Sequence, residues 1–255
     1  VFHHGDHTSQ EFFPTDKHKE IARQQGYSQL TKLGIQQLYE LGQYMRKRSS
    51  HFLSVIYVQS TDCDHTLMSA QASLAGLYPP TQGQIWNLRI LWQPIPVHSA
   101  TLLYLPFSHC PKYKKLLRET FATGDFQRQF KHYKQLLKFL ATHTGYPLKK
   151  LTTERIWKLS DTLQYEVNKI IESFSVRTKL RKLLELLLQA EFESSPFSFR
   201  CYFKNYILGA RKPSYHQKMV MFSMHAATIA ALQMALNVCN GKLPPHSEKS
   251  GQVSA

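Results

Sequence analysis

Acidic residues are scarce in this sequence: 17 Asp and Glu stand against 32 Lys and Arg, a formal charge of +15 at neutral pH. Such a balance attracts phosphate esters, anionic membrane surfaces and nucleic acids alike. The basic excess lies mainly within 112–150 and 169–182, stretches with a helical pattern, where a solvated basic face accounts for it. No zinc finger, aromatic nucleic-acid signature or glycine-rich phosphate loop accompanies it, so no specific nucleic-acid partner is indicated. No apolar run approaches the roughly 20 residues that span a bilayer, so no membrane span is expected. Asn-x-Ser/Thr is missing throughout, which leaves N-glycosylation without an acceptor. The cysteines, Cys63, Cys110, Cys201 and Cys239, are few and form no CxxC pair, which argues against a structural zinc site. The chain opens on Val1 instead of methionine, so the lack of a leader peptide excludes no compartment.

What remains is ordinary globular material, 42% hydrophobic and 12% aromatic over 255 residues, enough for one large domain or two modest ones. Its densest chemistry comes first. His3-His4-Gly5-Asp6-His7-Thr8 gathers three imidazoles, a carboxylate and a turn-permitting glycine. Three readings fit that stretch taken alone. It can be an exposed polar terminus, a metal site built on imidazole and carboxylate, or a nucleophilic histidine for phosphoryl transfer.

The order of the elements narrows the choice. Val1-Phe2 reads as the end of a strand that delivers the histidines into a loop. Residues 12–26 form a polar, irregular excursion with Pro14. A helix is expected from Thr31, its cap, with Ile35, Leu38, Leu41 or Gly42, and Met45 as the apolar stripe and Arg46, Lys47 and Arg48 at its C-terminal end. Val55 to Val58 reads as a strand, followed by Ser60-Thr61-Asp62-Cys63-Asp64-His65-Thr66 and a helix carrying Leu67, Ala70, Leu74 and Leu77. Residues 92–106 are extended and proline-punctuated. Residues 111–192 read as helices starting near Pro111, Asp125, Thr152 and Val176, broken at Gly124 and Gly145. The leucines from Leu180 to Leu188 mark a core face. Residues 219–222 form a further strand, followed by Ser223-Met224-His225 and a helix from Thr228. Strand, histidine loop and helix recur, the plan of an α/β sheet with its chemistry at strand carboxyl ends.

With these motifs in this order, the chain resembles the histidine acid phosphatases. The resemblance runs along nearly the whole chain. It is carried by HHGDHT, by 25–31 and 39–42, by STDCDHTLMSA from Ser60, by LWQPIPVH from Leu91 and by SMHAATIAALQMALNVCNG from Ser223. It implies a phosphoglycerate-mutase-like α/β sheet flanked by helices, with both ends of the family fold shortened. The α/β part would comprise 1–90 and 216–255, and 91–215 would form a mainly helical insert. It also implies that His4 is the nucleophile that is transiently phosphorylated and that His225 is a phosphate contact. The family's first motif reads RHGDR and its last carries His-Asp. Its phosphate-clamp arginines therefore fall on His3, His7 and His65, and its leaving-group acid falls on Ala226.

Those replacements strike the chemistry. Guanidinium is planar, forked and permanently charged; imidazole is shorter and largely neutral above about pH 6.5. The expected activity is acid-phosphatase hydrolysis of phosphate monoesters, weak or lost, without metal or organic cofactor. The alternative is a pseudophosphatase that binds phosphate or another small anion, or an interaction protein on that scaffold. Metal binding by His3, His4, Asp6, His7, His65 and His225 is a third reading. The resemblance further implies a homodimer, a secreted or lysosomal setting, and a partner for Cys110 in the missing C-terminal part.

Overall fold

The protein is described by a computed structural model over residues 1–9, 11–16, 20, 26–48, 56–99, 111–165, 174–193, 219–235 and 238. Short β-rich runs build the sheet: β1 (Phe2–His3), β2 (Ile56–Ser60), β3 (Val97–Ser99) and β4 (Met219–Met224). All pairings are parallel, in the order β1-β4-β2-β3, so the last strand in sequence is central. Parallel strands need crossovers, and the crossovers supply helices to cover the sheet. β3 carries the sheet past residue 90, into the stretch expected to be mainly helical.

Between β1 and β2 runs α1 (Lys32–Arg48), and after β2 comes α2 (Asp64–Leu77). Thr31 caps α1 as expected, its hydroxyl accepting the Gly34 N–H at 3.0 Å. The buried face of α1 differs from the expected stripe. It runs through Gly34, Leu38 and Gly42, while Ile35 is 44% exposed. The glycines are the reason. A methyl group on Gly42 would meet the Ser73 carbonyl at 2.0 Å, and one on Gly76 would meet the Tyr39 carbonyl at 2.0 Å. The two helices therefore touch backbone to backbone, and α1 turns its glycine side inward. Leu38, Val58, Ala70, Leu74, Leu77 and Met221 fill the core between them and the sheet.

The described residues within 111–193 are mainly helical: α3 (Pro111–Ala122), α4 (Gly124–Lys131), α5 (Lys134–Thr144), α6 (Thr153–Tyr165) and α7 (Phe174–Glu193). The helix expected to run on from Asp125 divides at His132 and Tyr133, where the His132 N–H bonds back to Gln129 in a tighter turn. On α7, Leu180, Leu183, Leu184, Leu187 and Leu188 are all buried at helical spacing, the core face read from sequence. Phe13 enters this second core from the N-terminal segment. The same segment is bonded to the helices by Thr162 Oγ1 to the Glu11 carbonyl at 2.9 Å and by Glu11 with Arg155 and Lys158.

The last helix, α8 (Ala226–Ala235), begins two residues before the expected Thr228, directly after His225. Cys110, Cys201, Cys239, residues 194–215 and the tail from 244 lie outside the described residues. Among the described residues no helix is long and apolar enough to cross a membrane.

The close approach of α1 to the first loop has a measurable consequence. A Cβ on Gly34 would lie 2.1 Å from the Asp6 carbonyl, backbone that cannot move aside cheaply. Gly34→Ala is expected to destabilise the chain by about 1–3 kcal/mol, as overpacking does. Gly83→Ala, where the space is open, should be near neutral. Denaturant unfolding of the two variants checks both.

Candidate active site

The parallel register decides where the histidines meet. β4 lies between β1 and β2, and its final carbonyls bind both loops. The Met224 carbonyl accepts the His4 N–H at 3.1 Å, and the Ser223 carbonyl accepts the Thr61 N–H at 3.3 Å. His4, Thr61 and His225 thus leave three adjacent strands at one edge of the sheet. α2 then places His65 in its first turn.

The first loop is braced on every side. Gly5 N–H donates to Ser69 Oγ at 3.0 Å and Asp6 N–H to Gln37 Oε1 at 3.0 Å. The Thr31 hydroxyl donates to the Asp6 carboxylate at 2.6 Å, tying the loop to the cap of α1. Beyond it, His7 pairs antiparallel with Leu30, and Thr8 bonds to Gly26 and Gln29. Gly26 (φ +85) and Ser28 (φ +54) turn the returning strand in the left-handed region, so that Ser28 N–H meets the Ser9 carbonyl at 3.2 Å.

All five histidines marked in the sequence come together. His4 is central: its ring centroid lies 4.1 Å from His3, 4.7 Å from His7, 4.5 Å from His65 and 5.3 Å from His225. His7 stacks on His65 at 4.2 Å, and His65 meets His225 edge-on at 5.4 Å. His4, His7 and His65 are buried; His3 and His225 keep some contact with solvent. Ala226 follows at the start of α8 with no group to titrate. Asp6 stands apart from this centre in role, since its carboxylate is committed to Thr31.

Hydrogen bonds fix the rings. Nδ1 of His4 lies 3.0 Å from the Gly5 carbonyl, which only accepts, so that nitrogen carries the proton and Nε2 keeps its lone pair. His7 Nδ1 donates likewise to the Thr8 carbonyl at 2.7 Å. Thr61 Oγ1 lies 3.1 Å from His225 Nε2 and 2.8 Å from Thr66 Oγ1, and Ser223 Oγ donates to the Thr66 carbonyl at 2.9 Å. This fully buried hydroxyl network, together with Ser69, was not singled out by sequence. Its signal was there: Thr61 directly follows a strand, and Ser69 sits one turn beyond His65 on the same helix.

Burial governs the charge of the cluster. It holds His4 well below the ordinary imidazole range, reinforced by His3, His65, His7 and His225. Burial, then His7 and His225, pushes His65 down to about 2; the Ser28 backbone opposes this weakly and makes no regular hydrogen bond with it. Burial and then His7 lower His225 to about 4. Free Cys63 is raised, by burial first and by Asp62 and Asp64, and so is a poor thiolate.

A parallel α/β fold with five imidazoles at its strand carboxyl ends defines a histidine-centred site. The model for the histidine phosphatase superfamily (branch 2) matches residues 4–198, and the chain belongs to that family. It is 41% identical to prostatic acid phosphatase of Bos taurus, covering 97% of this chain and 70% of that one. Lysosomal acid phosphatase of Xenopus laevis is 39% identical, over 97% of this chain and 63% of that one. Among solved structures, the Klebsiella sp ASR1 phytase superposes with a TM-score of 0.60 at 14% identity, covering 96% of this chain and 75% of that one. Hafnia alvei phytase with tartrate gives 0.61 at 13%, over 94% and 76% respectively. These structures share the fold.

Suppressed protonation makes stability depend on pH. His65 and His225 bind protons more weakly folded than unfolded, so the unfolded chain takes up more protons on acidification. Stability is therefore retained above about pH 6.5 and lost as pH falls through the window towards about 4 for His225 and about 2 for His65. The slope is at most about 1.4 kcal/mol per pH unit for each such histidine. Melting curves between pH 7 and pH 4 should show it, and His65→Gln should flatten it.

Proposed function

We propose that this chain carries out acid-phosphatase-type hydrolysis of phosphate monoesters through a phosphohistidine on His4, in a weakened or vestigial form. The observation that supports this best is the state of His4: neutral, central, with Nδ1 held on the Gly5 carbonyl and Nε2 left as the nucleophile. In the first step Nε2 attacks phosphorus and the bond from phosphorus to the ester oxygen breaks. The departing oxygen takes its proton from solvent, because Ala226 stands at the family's acid position. Water then attacks the phosphohistidine, releasing phosphate and restoring the imidazole. His225 would contact the phosphate, and His3, His7 and His65 would take the places of the clamp arginines.

The weakness follows from the same geometry. A preorganised donor removed from a developing anion costs about 2.7–4 kcal/mol. Loss of a general acid costs roughly 10²–10⁴ in rate, less for good leaving groups. Aryl phosphates should therefore be favoured over alkyl phosphates. Without turnover, the same site serves as a pseudophosphatase that binds phosphate or a similar anion. By family analogy we place the chain in a secreted or lysosomal setting and expect a homodimer. The exposed apolar side chains Trp86, Leu88, Leu91 and Trp92 favour such self-association.

Turnover of an aryl phosphate, with His4→Ala beside it, tests the reading. Activity lost in the variant supports it, and equal residual rates in both reject catalysis. Restoring arginine at 3, 7 and 65 and aspartate at 226 together should raise kcat/KM by more than the product of the single gains, since the four serve one transition state. Additive gains would oppose a shared site.

Anion binding should also carry a proton signature. Imidazoles kept neutral by burial become favourable partners only once protonated, and a bound anion favours that charge. Vanadate affinity should rise as pH falls below about 6.5 and still be rising at pH 5, because the empty-site value of His225 is about 4. Calorimetry in buffers of different ionisation enthalpy should register the proton uptake. A flat affinity from pH 8 to pH 5 would mean the imidazoles do not hold the anion.

A further inference from the structure

We propose that His4, His65 and His225 form a three-histidine site for a divalent transition-metal ion, with Zn²⁺ as its ligand. One ring nitrogen from each residue lies within 4.8 Å of the others. In tetrahedral coordination, zinc–nitrogen bonds of about 2.0–2.1 Å set ligand nitrogens about 3.4 Å apart. The nitrogens therefore need to close by at most about 1.4 Å to meet that geometry.

The second observation is His65 itself. It is 1% exposed, it faces the other rings, and neither of its nitrogens has a regular hydrogen-bond partner. A buried nitrogen lone pair left in this way is a costly arrangement that calls for a compensating group. A cation shared with His4 and His225 supplies one. The rings are also poised for it. The Gly5 carbonyl holds the His4 ring through Nδ1, and Thr61 holds that of His225, the outer contacts that orient metal-binding histidines.

The donor set selects the ion. Three imidazoles with no carboxylate among them disfavour Ca²⁺ and Mg²⁺ and suit Zn²⁺. Three protein ligands leave a fourth position for water or an anion. The arginine that the family pattern places at position 65 would put a permanent cation where this chain offers a donor nitrogen. The proposal goes beyond the phosphatase reading and does not depend on turnover.

The test uses the full chain without a histidine tag, dialysed against Zn²⁺ and measured for bound metal and affinity, with Co²⁺ as a spectroscopic stand-in. One Zn²⁺ per chain and the strong visible absorption of tetrahedral Co²⁺ are expected. His65→Ala and His225→Ala should each weaken Zn²⁺ by about 100-fold or more. His132→Ala and His143→Ala, both on exposed parts of the helical region, should leave it unchanged. If a site variant fails to fold, the Co²⁺ spectrum and the Zn²⁺-dependent rise in melting temperature of the unaltered chain decide the matter. Weak octahedral Co²⁺ absorption, Zn²⁺ bound only substoichiometrically, or equal affinity in the double variant His65→Ala/His225→Ala would overturn the proposal. Because Nδ1 of His4 is held by the Gly5 carbonyl, Zn²⁺ would occupy the same Nε2 proposed as nucleophile, so chelator should raise any aryl-phosphate turnover; the metal measurements themselves need no turnover, and failure of the phosphatase reading leaves them intact.

Discussion

Two carbonyl groups at the end of β4 hold the site together. Met224 receives the N–H of His4 and Ser223 that of Thr61, so loops that start 57 residues apart are fixed to a strand that enters after residue 218. Side chains alternate along a strand, so a one-residue slip of β4 would send His225 to the opposite face and separate it from His4. The register is protected by burial. Met221, Phe222 and Met224 are core residues, and Ser223 is fully buried with its hydroxyl bonded to Thr66. The helical region contributes by a different route, since Glu11 and Phe13 anchor the segment that leaves the histidine loop.

Within that frame, exchanging guanidinium for imidazole changes more than reach. An arginine brings its charge into the folded protein whatever the surroundings, because its proton cannot be removed by burial. Imidazole can answer burial by remaining neutral, and here it does, most strongly at His4 and His65. The pocket that would clamp phosphate with fixed charge becomes an aromatic cluster whose charge depends on what enters it. The rings also pack on one another, His7 stacking on His65 at 4.2 Å, as aromatic side chains do.

Much of this was legible in the sequence because it rests on local pattern. The β-branched run at 55–58, the capping Thr31, the leucine spacing of α7 and the three histidine loops each leave a signature within a few residues. What escaped depends on contacts between distant segments. Ile35 fits an apolar stripe on paper, but the inward face of α1 is set by the Gly42–Ser73 and Gly34–Asp6 approaches, which no helical period encodes. The break at His132 and the short strand at Val97 have equally weak local signals. The five histidines were marked one by one, while the buried hydroxyls of Thr61, Thr66 and Ser223 read as ordinary polar residues until the register linked them to one another and, through Thr61, to His225.

The contrast between scaffold and chemistry follows from where each kind of residue acts. Positions whose role is backbone clearance or a buried hydrogen bond, such as Gly5, Gly34, Thr31 and Ser69, accept few residues, and most changes there cost folding. Positions 3, 7, 65 and 226 present only a side-chain tip to the pocket. At 3, 7 and 65 a shorter imidazole costs the fold less than a guanidinium buried without its anion would, although the buried His65 nitrogens still lack a regular partner. An empty arginine clamp is a standing repulsion that only ligand relieves; an empty imidazole cluster is not. Loss of the clamp therefore shifts the pocket from charge complementarity towards lone-pair donation, with His4 at the centre in either case.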